Sequence, residues 1–307
     1  MPRVSIVVPA YNAGPFLEKT LKSVLASSYD DYEIVVVDDG STDDTAAIAA
    51  AMGPKVRLIR QENQGMSKSR NNAVASGDSE FIALLDSDDI WHPDKLRLQV
   101  AMMDESPEVG LSYTEFTVWD GADATATFEP TVSSERDTAL SGWIYPKMLL
   151  TNFVLPSSAL FRRTLWNALG PFVCEDHQTD DWEYFVRASR QFPFAKLKSR
   201  LVLYRQHPTS LSRALPKVNK TEAMRERLIA RFGLECENGG PADLAQLAAR
   251  RQRGRCHFAD AHVARGDLAL GLREFSALLA SGPNRLDSFL SLLKALASRV
   301  RRKLARA

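Results

Sequence analysis

The chain is expected to fold as an α/β protein: a mostly parallel sheet, an α+β half laid over it, and a helical C-terminal extension. Three observations predict this. Short apolar, β-branched runs alternate with segments of helical period through the first 90 residues. Each of those runs ends in a polar, aspartate-rich stretch. Beyond residue 241 the sequence turns alanine- and arginine-rich, with helical spacing throughout.

The elements follow in order. Val4–Val8 is a continuous apolar run, as a strand buried on both faces requires. Pro15–Leu25 places Phe16, Leu17, Leu21, Val24 and Leu25 at helical spacing, and Glu33–Val37 is a second strand ended by Asp38-Asp39-Gly40. Ser41 with Asp44 reads as a capping box that opens a helix to Met52. Val56–Ile59 is a third strand, Ser67–Ala75 a third helix, and Phe81–Leu85 a fourth strand ending in Asp86.

From Val109 the pattern changes. Leu111–Trp119 and Thr125–Phe128, parted by Asp120-Gly121, form a hairpin or two short strands. Ser157–Phe161 and Leu201–Arg205 are further strands, and Arg163–Leu169, Trp182–Arg190 and Pro216–Phe232 are helices. Leu234–Pro241, with paired glycines, reads as a linker. Three regions result: 1–110 with the repeated βα pattern, 111–233 as the α+β half, expected to form an acceptor side, and 241–307 as a helical extension with turns at Gly266-Asp267 and Gly282-Pro283.

Composition narrows the class. Apolar residues make up 45% and charged residues 25%, as in an ordinary globular protein. No stretch approaches the roughly 18 apolar residues of a spanning helix, and the start of the chain carries no leader pattern. Three distant cysteines (Cys174, Cys236 and Cys256) build neither a disulfide framework nor a CxxC zinc pair, which suits a reducing, cytoplasmic setting. The net charge of +1 conceals a division: residues 241–307 hold 13 Lys+Arg against 5 Asp+Glu, while the first 240 residues carry a net −7.

In open α/β sheets ligands bind at the carboxyl ends of the strands. Those ends are Pro9-Ala10-Tyr11-Asn12, Asp38-Asp39-Gly40-Ser41, Gln61–Gly65 and Asp86-Ser87-Asp88-Asp89, which place five aspartates on one rim. The chain has neither a GxxxxGK[ST] loop nor a GxGxxG after its first strand, so backbone amides do not cradle phosphate in the usual ways. A carboxylate rim binds phosphate through a cation instead. Mg²⁺ or Mn²⁺ takes one or two protein carboxylates plus phosphate oxygens, and Asp86-x-Asp88 at a strand end offers that arrangement.

Here the residues resemble a known family. Val4–Asn12, Val36-Val37-Asp38-Asp39-Gly40-Ser41-Thr42-Asp43, Asn63-Gln64-Gly65 with Ser69-Arg70-Asn71, and Leu85–Asp89 are similar, in order and spacing, to the inverting family-two glycosyltransferases. That resemblance covers roughly residues 4–210 and implies the GT-A fold, a Rossmann-like mostly parallel sheet. It implies transfer of one sugar from a nucleotide-diphosphate donor to an acceptor hydroxyl, with Mn²⁺ or Mg²⁺ as cofactor. By the same resemblance Asp39 bonds the base, expected to be uracil, and Pro9 and Tyr11 shape the base pocket. Asp88 binds the metal, and Asp86 holds the donor's ribose or sugar, or joins the metal. Arg70 lies near the donor phosphates or forms an ion pair within the rim.

An inverting transfer needs a general base near the acceptor hydroxyl. The family pattern, an acidic pair before an aromatic-containing helix ending in Arg, falls on Asp180-Asp181-Trp182-Glu183 and Arg187, with Asp181 as the base and Asp180 as the alternative. His207, in Tyr204–Ser210, resembles the segment that closes over the diphosphate and is a third metal ligand, a phosphate contact or a loop histidine. Cys174 with His177 is set aside as a zinc pair, and His92, His257 and His262 are read as structural. The QxxRW motif of processive synthases is absent, which favours single transfer to a saccharide or lipid-linked acceptor, in surface polysaccharide or glycolipid assembly. A non-catalytic nucleotide-sugar-binding protein and a sugar nucleotidyltransferase are the alternatives. The intact aspartates stand against the first, and the lack of a GxGxR loop against the second.

In the basic tail, Leu286, Phe289, Leu290, Leu293, Leu296, Val300 and Leu304 form one helical stripe, with Lys294, Arg299, Arg301, Arg302, Lys303 and Arg306 beside or opposite it against a lone Asp287. Residues 286–306 are expected either to lie on an anionic membrane surface, at the cytoplasmic face, or to pack their stripe on the body of the protein. Nucleic acid is not an expected partner, because aromatic residues do not interleave with the basic ones.

Overall fold

Valine- and isoleucine-rich runs that are apolar on both faces must be covered on both faces, and the chain does this with helices in a computed structural model. The structure describes residues 1–120, 128, 132–175, 179–207, 215–282 and 284–304. Of the expected features, Asp120-Gly121 in part, Thr125–Thr127, His177, Pro208–Ser210 and Arg306 lie outside them.

In order, the elements are β1 (Val4–Ala10), α1 (Gly14–Leu25), β2 (Tyr32–Asp38), α2 (Thr45–Ala51), β3 (Val56–Arg60), α3 (Met66–Ala75), β4 (Phe81–Leu84) and β5 (Ile90–Trp91). They continue with α4 (Lys95–Glu105), β6 (Leu111–Trp119), α5 (Tyr145–Leu150), β7 (Leu160–Arg162), α6 (Arg163–Leu169), α7 (Asp180–Ser189) and β8 (Phe194–Arg205). Last come α8 (Lys220–Phe232), β9 (Glu235–Cys236), β10 (Gly240–Pro241), α9 (Leu244–Arg265), α10 (Leu268–Ser281) and α11 (Arg285–Leu304).

Two compact units divide the chain. The first comprises Met1–Ile144 and Asn152–Pro208. Its eight-stranded sheet has the order β3-β2-β1-β4-β7-β6-β8-β5. The four leading strands are parallel, β7 runs against both β4 and β6, and β8 lies parallel to β6. β8 therefore points the same way as β1 and β4, and its end opens on the same rim as theirs. Val4, Ile6, Val8, Ile34, Val36, Phe81 and Ala83 alternate along three strands into one core with Leu17, Leu21 and Val24 of α1. The opposite face (Val7, Val35, Val37, Ile82, Leu84) is equally buried, and α3 lies against β1 and β2.

The second unit comprises Tyr145–Thr151 and Thr209–Ala307. α9, α10 and α11 pack around Cys256, Ala259, Val263, Phe275, Leu278 and Ala295. Asn219, Asp243 and Asp267 cap α8, α9 and α10 by accepting from the backbone N–H of Glu222, Gln246 and Leu270. Gly271 lets α10 close on α9, since a Cβ there would meet Val263 Cγ2 at 2.7 Å and Val263 N at 2.8 Å.

Four local expectations are corrected. Ser41 does not cap α2: its hydroxyl accepts from Asn12 N (2.9 Å) and its own N–H donates to Asp38 (3.0 Å), so it ties strand ends together. Ser157 and Ser158 form a 3₁₀ turn ahead of β7, not its first residues. β8 starts at Phe194, seven residues earlier than its apolar run suggests. Lys196, buried in its first half, is neutralised by Glu115 and Asp137. The segment Leu234–Pro241 is a small antiparallel ribbon, β9 with β10, and lies inside the second unit together with α8. Arg225 binds α8 into that unit, donating to the carbonyls of Leu149 (3.1 Å) and Leu150 (3.1 Å).

Candidate active site

The rim is built by loops that lock one another. Asn12, left-handed at φ 48°, accepts from Thr42 N (2.9 Å), and Ala13 N and Gly14 N donate to Thr45 Oγ1 (2.8 Å) and Asp43 Oδ2 (3.0 Å). These bonds join the loop after β1 to the loop after β2. Gly40 turns at φ 79°, and a Cβ there would stand 3.0 Å from Asn63 N, so only glycine fits. Gly65, at φ 88°, opens α3.

Asp39 is buried and organises the loop after β3. Its Oδ1 accepts from Gln61 Nε2 (2.7 Å) and Gln64 N (2.9 Å), its Oδ2 from Gly65 N (2.8 Å). An ionised carboxylate has about four lone-pair sites, so one remains for a ligand donor. Pro9 is buried at the end of β1, and the neighbouring Tyr11 is 53% exposed, with its ring available for stacking.

Arg70 and Asp86 form a largely buried ion pair, Nη2 to Oδ1 at 2.6 Å. Arg70 Nε is buried with no partner of its own. The ion pair within the rim, one of the two settings expected for Arg70, is present. Next to it, Asp88 Oδ2 lies 3.0 Å from His207 Nε2, and the His207 ring packs against Phe16 at 4.5 Å between centroids. Burial raises the pKa of the Asp88 carboxyl and the charge of Asp86 adds to it, while His207 draws it back down. Asp89 is fully buried and is raised well above the usual range by burial and by both neighbouring aspartates. Ser157 holds this group: its Oγ donates to Asp89 and accepts from Asp86 N (3.0 Å), and its carbonyl accepts from Trp91 Nε1 (2.8 Å). Arg205 closes the other side, N to Asp89 Oδ1 at 2.9 Å and Nε to the Asp88 carbonyl at 2.7 Å.

Among the described residues no three His, Cys, Asp or Glu side chains gather into a set that alone would hold a metal ion. Of the residues expected around a metal, Asp86 is paired with Arg70 and Asp88 with His207. One carboxylate and one imidazole remain beside a crowd of mutually repelling carboxyls. That donor set fits Mn²⁺ or Mg²⁺ with phosphate oxygens completing the shell, as these ions are commonly bound.

Asp180 and Asp181 open α7 and have different surroundings. Asp180 is 1% exposed and accepts from Ser67 Oγ at 2.8 Å, which ties α7 to the start of α3. Asp181 keeps part of its surface open. Its Oδ2 accepts from Asn152 Nδ2 (3.2 Å) and its Oδ1 from Trp182 N (2.8 Å). Surrounding protein pushes its pKa up to about 6; the charge of Arg70 opposes this and that of Asp86 supports it, so Asp181 stands within electrostatic reach of the Arg70–Asp86 pair. Glu183 and Arg187 are structural: they pair at 3.1 Å, and Arg187 also donates to the carbonyls of Leu169 and Pro171. Ser157 and Asn152 escaped the sequence reading, since an isolated Ser or Asn in an unremarkable segment carries no signal.

His92 and His262 have structural partners, Asp94 N to His92 Nδ1 at 3.0 Å and His262 Nε2 to the Pro216 carbonyl at 3.1 Å.

Parallel strands whose carboxyl ends gather aspartates and a histidine define an α/β protein with its ligand site at the strand ends. Residues 5–163, just over half of the chain, match the model of glycosyl transferase family 2, and the chain belongs to that family. An uncharacterized glycosyltransferase of Nostoc sp. is 32% identical over 156 residues, covering 47% of this chain and 48% of the relative. The chain spans about half the length, or less, of the first curated relatives it matches. Among solved structures, residues 1–349 of Staphylococcus aureus TarS in complex with UDP-GlcNAc superpose with a TM-score of 0.65 at 19% identity, covering 97% of this chain and 89% of that one. The mannosyltransferase PcManGT from Pyrobaculum calidifontis, in complex with GDP-Man and Mn²⁺, gives 0.55 at 20% identity over 99% and 87%. These likenesses establish the GT-A type fold.

Proposed function

We propose that this chain transfers a single sugar from a UDP-linked donor to an acceptor hydroxyl with inversion at the anomeric carbon, assisted by Mn²⁺ or Mg²⁺. One observation carries the reading: the carboxyl-end rim of one sheet brings together Asp39, the Arg70–Asp86 pair, the Asp88–His207 pair and Asp181.

The roles follow from the surroundings. Tyr11 offers its exposed face to the base, and the lone pair left on Asp39 accepts a base N–H. Asp88 and His207 hold the cation, which when bound neutralises the diphosphate as it leaves. Asp86, fixed by Arg70, accepts from a ribose or sugar hydroxyl. Asp181 takes the proton of the acceptor hydroxyl as the new bond forms. A pKa near 6 keeps it ionised at neutral pH yet basic enough to accept that proton, and Asn152 and the Trp182 N–H hold the carboxylate in place. Asp180, sealed under Ser67, positions α7 and does not reach the acceptor.

Calorimetric titration with UDP and with GDP, with and without Mn²⁺, tests the donor site. UDP is expected to bind more tightly than GDP, and Mn²⁺ to strengthen UDP binding in the wild type but not in Asp88→Asn. Equal affinity with and without the cation would remove Asp88 and His207 from the scheme.

A further inference from the structure

The helix α11 presents two faces, and the apolar stripe read from the sequence is on the exposed one. Ser288, Leu292, Ala295 and Arg299, spaced four, three and four residues apart, turn toward α9 and α10. Ser288 Oγ accepts from Gln252 (2.9 Å), Ala295 is 5% exposed, and Arg299 donates to the Val263 carbonyl (2.8 Å). The stripe of Leu286, Phe289, Leu290, Leu293, Leu296, Val300 and Leu304 lies on another side and is 36% to 72% exposed. A stripe this long is not needed by the core of the unit, which α11 already serves through its other face.

The charge beside the stripe indicates what covers it. At 100° per residue, Lys294 and Arg301 flank it, both exposed. In sequence, Lys303 and Arg306 extend the basic run. The one acidic residue of the helix, Asp287, sits in its first turn, bonded to Asn284. Twenty residues make a cylinder about 30 Å long, apolar along one line and cationic beside it. Among the described residues no helix is long and apolar enough to cross a membrane, so a helix of this kind lies in the plane of the surface.

We propose that α11 docks the protein on an anionic lipid bilayer, with the Leu286–Leu304 stripe sunk among the acyl chains and Lys294 and Arg301, which flank it, on the headgroup phosphates. This inference does not depend on the donor chemistry. Attachment by one such helix is reversible and weakens with salt, each cation near an anionic surface being worth about fivefold in affinity.

The test is co-sedimentation of the full chain with phosphatidylcholine vesicles, with and without phosphatidylglycerol, at low and high salt, alongside velocity sedimentation of the lipid-free protein. The protein is expected to pellet with the anionic vesicles at low salt and to leave them at high salt. The double variant Lys294→Ser/Arg301→Ser should weaken binding by a factor on the order of 10 or more. Leu290→Glu/Leu293→Glu, at solvent-facing positions, should stay folded by circular dichroism and not pellet. A full chain that stays in the supernatant at low salt overturns the proposal. So does a dimer that Leu290→Glu/Leu293→Glu dissociates, which would assign the stripe to a second copy of the chain.

Discussion

At the scale of single residues, the proposed chemistry rests most on Asp181, which is open to a direct trial. With its carboxyl pushed up to about 6, the proposed base is expected to be ionised, and active, only above that value. The rate of transfer is therefore expected to fall as pH drops through that value, and Asp181→Asn to slow it by a factor on the order of 10² to 10⁴ with donor affinity nearly unchanged. Stability runs the other way. Between the ordinary carboxylate value of 3.8 and about 6 the folded state binds the proton more tightly than the unfolded chain, so this carboxyl lowers stability as pH rises through that window. Asn carries no charge to bury, and Asp181→Asn should gain on the order of 1–3 kcal/mol at pH 8, read by urea denaturation. An inactive variant that is also less stable would mark Asp181 as a structural residue. Asp39, Asp86, Asp88 and Asp181 stood out in the sequence because they lie in motifs, and the motif placed Asp181 ahead of Asp180 without a physical reason for the order. What separates the two is burial: Asp180 is closed off under Ser67, whereas Asp181 keeps an open surface.

At the scale of elements, the strands and helices of the first 90 residues were legible because buried parallel strands and amphipathic helices write different periods. β8 was half legible, since Lys196 and Lys198 interrupt its apolar run and are neutralised by residues distant in sequence. The loops were the hardest part. Ser41 reads as a helix cap but spends its hydroxyl on Asn12, and Ser157 reads as strand but forms the turn beneath the aspartates. That turn carries a consequence. Ser157→Ala removes the donor to buried Asp89 and the acceptor of Asp86 N–H, which should cost about 1–3 kcal/mol. The loop carrying Asp86 and Asp88 should loosen with it, weakening Mn²⁺-dependent UDP binding. Unchanged unfolding and unchanged nucleotide affinity would show that the loop holds itself.

At the scale of the whole molecule, the charge division of the sequence follows the two units: an acidic first unit that carries the ligand rim, and a basic helical one. Family membership and fold fit a nucleotide-sugar site at the strand ends, and the proposed chemistry needs that site to release a nucleoside diphosphate. Proton NMR of purified protein incubated with Mn²⁺ and a panel of UDP-sugars tests this most directly, because it follows UDP release and the anomeric configuration of the first-formed sugar together. At least one donor should yield UDP and a sugar of configuration opposite to the donor's, with both signals lost in chelator and in Asp88→Asn. No UDP from any donor, a retained configuration, or undiminished turnover in chelator would contradict the account.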